Sequence, residues 1–389
     1  MAMKIFQTIN DRGKPLYVLE KIKSYLFYVS NKYCGAALSS EINECFSRIF
    51  EAYDEIKTMG EKLRIELING AEFTEDSILR YHFVLFSPEN YDATPERIFE
   101  YIKNKIESLK RNVKELVSFI SSYVQDLKSV FESLRNVLKE YGKFGMYYEI
   151  IAVLGLSETL YPLVIALEKR NMLGKLAPVE VASGKTFFEL VRDIDVRVYK
   201  IKGINPRAEI SRFAHVLNTQ ELSNEEVARW LIEYRNKWMP DSELAIKLQE
   251  NLYGNKAVPY LLIKYSEYLR KRSYTFEELM ELKNIRITVE HILPKEPNFD
   301  VKVYDFDNEE DYLKHKDKLG NLTLLSRSIS SQVENKTLLA KISYYNRENR
   351  LLEITRRLAS EIERKGSFTK RDVIERTKAI AEFVRSFLS

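Results

Sequence analysis

Apolar residues return at three- and four-residue intervals along most of the chain, the spacing that gives a helix one buried face. From Val18 to about Met59 the stripe runs through Leu19, Ile22, Leu26, Ile42, Phe46, Ile49, Phe50 and Tyr53, and Gly35-Ala36 breaks it into two helices. Residues 61–94 add a further helix and a polar loop at Ser87-Pro88-Glu89-Asn90. Between Pro95 and Tyr141 neither glycine nor a second proline interrupts a stripe of Ile102, Ile106, Leu109, Val113, Leu116, Ile120, Val124, Leu127, Phe131, Leu134 and Leu138, which predicts one or two long amphipathic helices. Such a stripe can form the seam of a homo-oligomer. With so many other helices available to cover it, an intramolecular bundle is the expected use. Residues 146–280 keep the helical period, divided at Gly155, Gly174, Gly184 and the Gly203-Ile204-Asn205-Pro206 turn.

The period changes near the C-terminus. Thr275 caps a short helix, and then the β-branched run Ile287-Thr288-Val289 predicts a strand that delivers Glu290 and His291. Ile292-Leu293-Pro294 and an acidic loop follow. Gly320-Asn321-Leu322-Thr323-Leu324-Leu325 predicts a second short strand, and Gln332 to Tyr345 a helix. Ser367-Phe368-Thr369 caps a last amphipathic helix, Lys370 to Phe387. The fold class is therefore mainly α: a helical bundle followed by a small strand, loop, strand, helix unit with flanking helices.

Composition narrows the function classes only modestly. Charged residues at 30% and hydrophobic ones at 45% are ordinary for a globular protein, and the chain is long enough for two or three domains. The net charge of +4 is a small difference between 61 basic and 57 acidic residues, so any nucleic-acid surface has to be a local patch. Cys34 and Cys45 sit in a helical pattern without metal-ligand spacing, which fits a reducing cytoplasm. No run has the length of a membrane span.

The stretch from Arg286 to Lys341, with its Glu290-His291-Ile292-x-Pro294 motif, its Gly320-Asn321-Leu322-Thr323-Leu324-Leu325 turn and strand, and an Asn/Lys-bearing helix, resembles the HNH-type, His-Me finger (ββα-metal) nuclease domain of GmrSD-type modification-dependent restriction enzymes. The resemblance implies a DNA endonuclease in which His291 is the general base, Glu290 holds a divalent ion (Mg²⁺, or Mn²⁺), and Asn321 orients the imidazole. The chemistry is consistent: hydrolysing a phosphodiester near neutrality needs a base that is unprotonated there and a hard cation against the growing phosphate charge. Neighbouring residues of a strand face opposite ways, so Glu290 and His291 can share a centre only where the strand ends or bends. The family's second metal ligand falls nine residues after the asparagine, and here that position is Ser330, a weak neutral ligand; Asn335, farther into the helix, is the candidate substitute. Lys336, Lys341 and Arg327 are candidates for phosphate contacts, with solvated faces as the alternative.

Ile5 to Leu16 resembles the end of the ParB-like nucleotide-binding (DUF262) domain of the same enzymes, whose upstream DGQQR motif has no counterpart in this chain. Asn10 and Arg12 could belong to a phosphate pocket, although a turn before a helix is the preferred reading. The resemblance divides the chain into 1–27, a remnant of that domain; 28–275, a helical domain; and 276–389, an HNH-like (DUF1524) domain. A split-gene half, a truncated copy and a shortened chain all fit, and a separate subunit supplying nucleotide binding is a candidate partner beside DNA. Three further groups are read as structural: His82 as a packed histidine, His315 as an exposed loop histidine, and Asp193, Asp195 and Arg197 as a salt-bridged helix surface. The competing functional reading is a DNA- or partner-binding scaffold that kept this fold after losing catalysis.

Overall fold

In the computed structural model, residues 17–87, 89, 91–140, 145–182, 184–296, 299–333 and 336–389 are described. They are mainly helical, with a single two-stranded sheet among them. The chain forms two compact units, one of residues 1–141, 157–188 and 206–228, the other of 142–156, 189–205 and 229–389. This division is not the linear one expected from sequence. Charged groups of residues 145–156 and 189–205 are paired within the second unit. Glu149 accepts hydrogen bonds from Tyr260 and Lys264 at 2.5 and 3.1 Å, and Arg197 donates to the Met239 carbonyl and pairs with Asp241.

The first unit is built on α1 (Val18–Val29), α2 (Ala36–Leu63), α3 (Glu75–Phe86), α4 (Pro95–Leu109), α5 (Val113–Lys139), α6 (Tyr161–Lys169) and α7 (Arg207–Thr219). The long apolar stripe becomes two helices, α4 and α5, because Asn112 leaves helical geometry and its side chain caps α5 by accepting from the Glu115 amide. Ile102, Ile106, Leu116, Ile120, Val124 and Leu127 are all buried. His82 on α3 is packed as expected: it is fully buried, its Nε2 lies 3.1 Å from Asp126 on α5, and it sits edge-on to Tyr123. Lys169 completes that pair by donating to Asp126 at 2.6 Å.

The second unit holds α8 (Val258–Arg270), α9 (Phe276–Asn284), β1 (Ile287–His291), α10 (Glu309–His315), β2 (Leu322–Ser326), α11 (Arg327–Val333), α12 (Leu338–Tyr345), α13 (Glu353–Lys365) and α14 (Lys370–Leu388). β1 and β2 are antiparallel, with His291 opposite Leu322 and Ile287 opposite Ser326. Every residue of β2 is buried, which explains its unbroken apolar run: a strand covered on both faces needs no polar alternation. The Thr355 hydroxyl of α13 reaches this strand, 2.8 Å from Thr323, and also donates to the Leu324 carbonyl. Behind it lies a core that includes Ile292, Leu293, Phe306, Tyr312, Leu325, Val333, Leu338, Tyr345, Leu358 and Phe368.

Three expectations need correction. The helix expected over 332–345 is two helices: α11 starts directly after β2, and Thr337, in extended geometry, begins α12 afresh. The group Asp193, Asp195 and Arg197 is salt-bridged but wholly buried rather than a helix surface, with Asp193 held by Arg192 and Asp195 by Lys200. Its charges are tolerated inside because each is paired. His315 is not an exposed loop residue but ends α10, where its Nδ1 lies 2.8 Å from the Asp311 carbonyl.

Candidate active site

The site is assembled where β1 ends. Gly320 begins the return to β2 at a place where α14 leaves no room for a side chain: a Cβ there would stand 1.9 Å from the Val373 carbonyl oxygen and 2.5 Å from the Thr377 hydroxyl. The Gly320 amide instead donates to that hydroxyl at 2.9 Å. From the same helix Arg376 donates through one guanidinium nitrogen to the carbonyls of Gly320 and Leu322 at 2.8 and 2.6 Å. Burial with little counter-charge pushes this guanidinium down to about 10.

Asn321 is fully buried and serves the backbone. Its Oδ1 accepts from the Leu293 amide at 2.9 Å, its Nδ2 donates to the Lys316 carbonyl at 2.8 Å, and its own carbonyl accepts from the Ile292 amide at 2.8 Å. Asn321 was expected to orient the imidazole, and its side-chain hydrogen bonds go to backbone rather than to the ring. Asn321 holds the chain leaving β1, and with it the backbone beside His291.

The group that meets the imidazole is Asp317: its Oδ1 lies 2.9 Å from His291 Nε2. A carboxylate only accepts, so Nε2 carries the hydrogen and Nδ1, which has no hydrogen-bond partner among the described residues, presents its lone pair. His291 is 5% exposed, and burial depresses its pKa, opposed by the Asp317 carboxylate. Burial thus favours the unprotonated ring that a general base needs. Tyr253 lies against it, ring centroids 4.2 Å apart and tilted by 48°.

One cation ties the Glu290 carboxylate to the backbone of His291. Lys341 on α12, 1% exposed, donates to Glu290 Oε1 at 2.8 Å and to the His291 carbonyl at 2.7 Å. This corrects the expectation for Lys341, which is a buried counter-ion and not a phosphate contact. It also bears on the metal. Glu290 already has a cation, Ser330 on α11 is a neutral hydroxyl, and no three histidine, cysteine or acidic side chains converge as a metal site among the described residues. To act as a ligand of a divalent ion Glu290 would have to exchange Lys341 for it, and Ser330 would add only a neutral oxygen. Asn335, like Asn10 and Arg12, lies outside the described residues.

Arg327, at the start of α11, is exposed, and Lys336 sits 5.7 Å from the centroid of the Tyr344 ring, which Arg347 also approaches at 5.9 Å. Sequence reasoning missed Asp317 and Tyr253. They lie 26 and 38 residues from His291, in Lys316-Asp317-Lys318 and in the Tyr253-Gly254 turn, and neither segment has a spacing that announces a partner.

No helix among the described residues is long and apolar enough to cross a membrane. No curated protein and no solved structure matches the chain. Residues 238–383, which contain β1, β2, His291, Asp317, Lys341 and Tyr253, match the family described as GmrSD restriction endonucleases, C-terminal domain, and so support a GmrSD-type restriction-endonuclease C-terminal region.

Proposed function

We propose that the C-terminal unit hydrolyses phosphodiesters of foreign or modified DNA with His291 as general base, on a His-Me finger scaffold. The observation that carries this reading is the imidazole at the end of β1, held 2.9 Å from the Asp317 carboxylate, inside the segment that matches the restriction-endonuclease family. In this mechanism His291 Nδ1 takes a proton from water as its oxygen attacks phosphorus. The P–O bond to the leaving sugar oxygen breaks, that oxygen is protonated by solvent, and Asp317 stabilises the imidazolium formed meanwhile. Lys341 keeps Glu290 and the His291 carbonyl in register. Arg327, Lys336 and Arg347 are the proposed phosphate contacts, which position the duplex without reading its sequence.

The Glu290–Lys341 pair and Ser330 favour a second reading, a scaffold that binds DNA or a partner without turnover. Cleavage of plasmid and of glucosylated or methylated phage DNA separates the two. Wild type, His291→Ala and Ser330→Asn are compared with Mg²⁺, with Mn²⁺ and with EDTA. Cutting by wild type that His291→Ala abolishes supports the nuclease, and the EDTA arm reports metal dependence. Binding without cutting under every condition supports the scaffold; cutting that appears only in Ser330→Asn shows a decayed metal site.

A further inference from the structure

We propose that the end of the first unit at which α4 turns into α5 is a second surface for duplex DNA, gripping its phosphate backbone from a different unit than the one that carries His291. The inference rests on the reading of the C-terminal unit as a nuclease of DNA. From residue 103 to residue 114 the chain holds five basic residues, Lys103, Lys105, Lys110, Arg111 and Lys114, against one acid, Glu107. The whole chain is nearly balanced, at 61 basic to 57 acidic, so this is a local excess.

The fold adds a sixth cation. The helical turn Ser30–Cys34, which follows α1, packs against α5. Its Lys32 donates to the Tyr28 hydroxyl at 3.1 Å, and the ammonium lies 5.5 and 5.2 Å from the ring centroids of Tyr28 and Tyr33. Lys110 approaches the same Tyr33 ring at 5.4 Å, which joins the two elements into one patch. An aromatic face holds an ammonium in place without cancelling its charge, as a carboxylate would. The acids nearby are already engaged. Glu107 pairs with Lys110 and accepts from the Tyr25 hydroxyl at 3.0 Å, Glu100 pairs with Lys103, and Glu115 accepts from the Asn112 side chain at 2.6 Å. Lys32, Lys105, Arg111 and Lys114 are exposed and have no carboxylate partner among the described residues. Unpaired cations gathered on one surface repel one another, and a polyanion relieves that repulsion while it releases its own counterions. Duplex DNA is the polyanion that residues 238–383 of the same chain point to, through their match to the restriction-endonuclease family. Contacts of this kind hold and position a duplex without reading its sequence.

The test is fluorescence polarisation of the full chain with duplexes of about 30 base pairs in two unrelated sequences, between about 50 and 200 mM salt. Wild type is compared with a patch variant carrying Lys32→Ala, Arg111→Ala and Lys114→Ala. A control variant carries Lys62→Ala, Lys175→Ala and Arg212→Ala, which removes three exposed cations elsewhere in the first unit. Melting curves confirm folding and gel electrophoresis confirms uncut DNA. The slope of log affinity against log salt is expected to fall by about 0.9 for each lost contact, or about 2.7 in the patch variant, equally for both sequences and not in the control. A patch variant that matches the control in slope and affinity overturns the surface, as does failure of wild type to bind duplex. Vesicles of phosphatidylserine and phosphatidylcholine are the competing partner: binding to them as tight as to duplex, and lost in the patch variant, overturns the choice of DNA. The underlying reading fails differently, because cleavage that survives His291→Ala refutes the base and leaves the salt slopes standing.

Discussion

Replacing Lys341 by methionine removes an ammonium that is 1% exposed and makes two hydrogen bonds, to Glu290 Oε1 at 2.8 Å and to the His291 carbonyl at 2.7 Å. The Glu290 carboxylate, with only 15% of its side chain exposed, is left without its counter-ion. Breaking a buried pair on one side costs about 3–5 kcal/mol. Residual solvent at Glu290 places the expected loss near the lower end, about 3 kcal/mol. For a unit of this size that lowers the melting temperature by roughly 6–12 °C. Glu290→Gln with Lys341→Met removes both charges together, and the double variant is expected to recover about 2 kcal/mol of the summed single losses. Calorimetry or urea melts of the four proteins, following the C-terminal transition, give that coupling. A coupling below about 0.5 kcal/mol refutes the buried pair, because exposed and independent side chains add. The same proteins test the alternative of a phosphate contact. If Lys341 touched DNA, Lys341→Met would reduce the slope of log affinity against log salt by about 0.9, whereas a buried counter-ion leaves the slope unchanged.

Activity of the wild type is expected to fall on the acid side as His291 becomes protonated, with the limb below the ordinary histidine value of 6.5 because burial depresses this group. Asp317→Asn removes the charge that raises the imidazole's pKa, so the acid limb of the pH–rate profile moves to still lower pH while the maximal rate drops; an unmoved limb would show that Asp317 does not act through His291. The same depression makes a stability contribution that is fully present above pH 6.5 and lost as pH falls through the lower folded-state value; pH-dependent melts of wild type against His291→Gln read it as a slope confined to acid pH. Gly320→Ala forces a methyl into the Val373 carbonyl and is expected to destabilise the C-terminal unit by about 3 kcal/mol in urea melts, whereas Gly366→Ala, with open space around it but a φ of +76°, loses only about 1 kcal/mol.

Local chemistry made much of this protein legible in its sequence. The helical period foretold the mainly α fold, and Thr275 and Thr369 foretold the starts of α9 and α14, because a cap is a contact between residues three apart. The β-branched run and the Gly320-Asn321 turn located both strands. What distinguishes the site came only from long-range packing. Asp317, not Asn321, meets the imidazole; Lys341, on a helix 50 residues after His291, is drawn inside by Glu290; and Tyr253, from the turn before α8, covers the ring. Period and capping encode neighbours along one element, and they cannot say which distant charge a buried carboxylate will take as its partner. A lysine on an amphipathic helix looks the same in sequence whether it faces water or a glutamate. Tertiary structure decides between them, because an unpaired charge cannot remain inside while a paired one can.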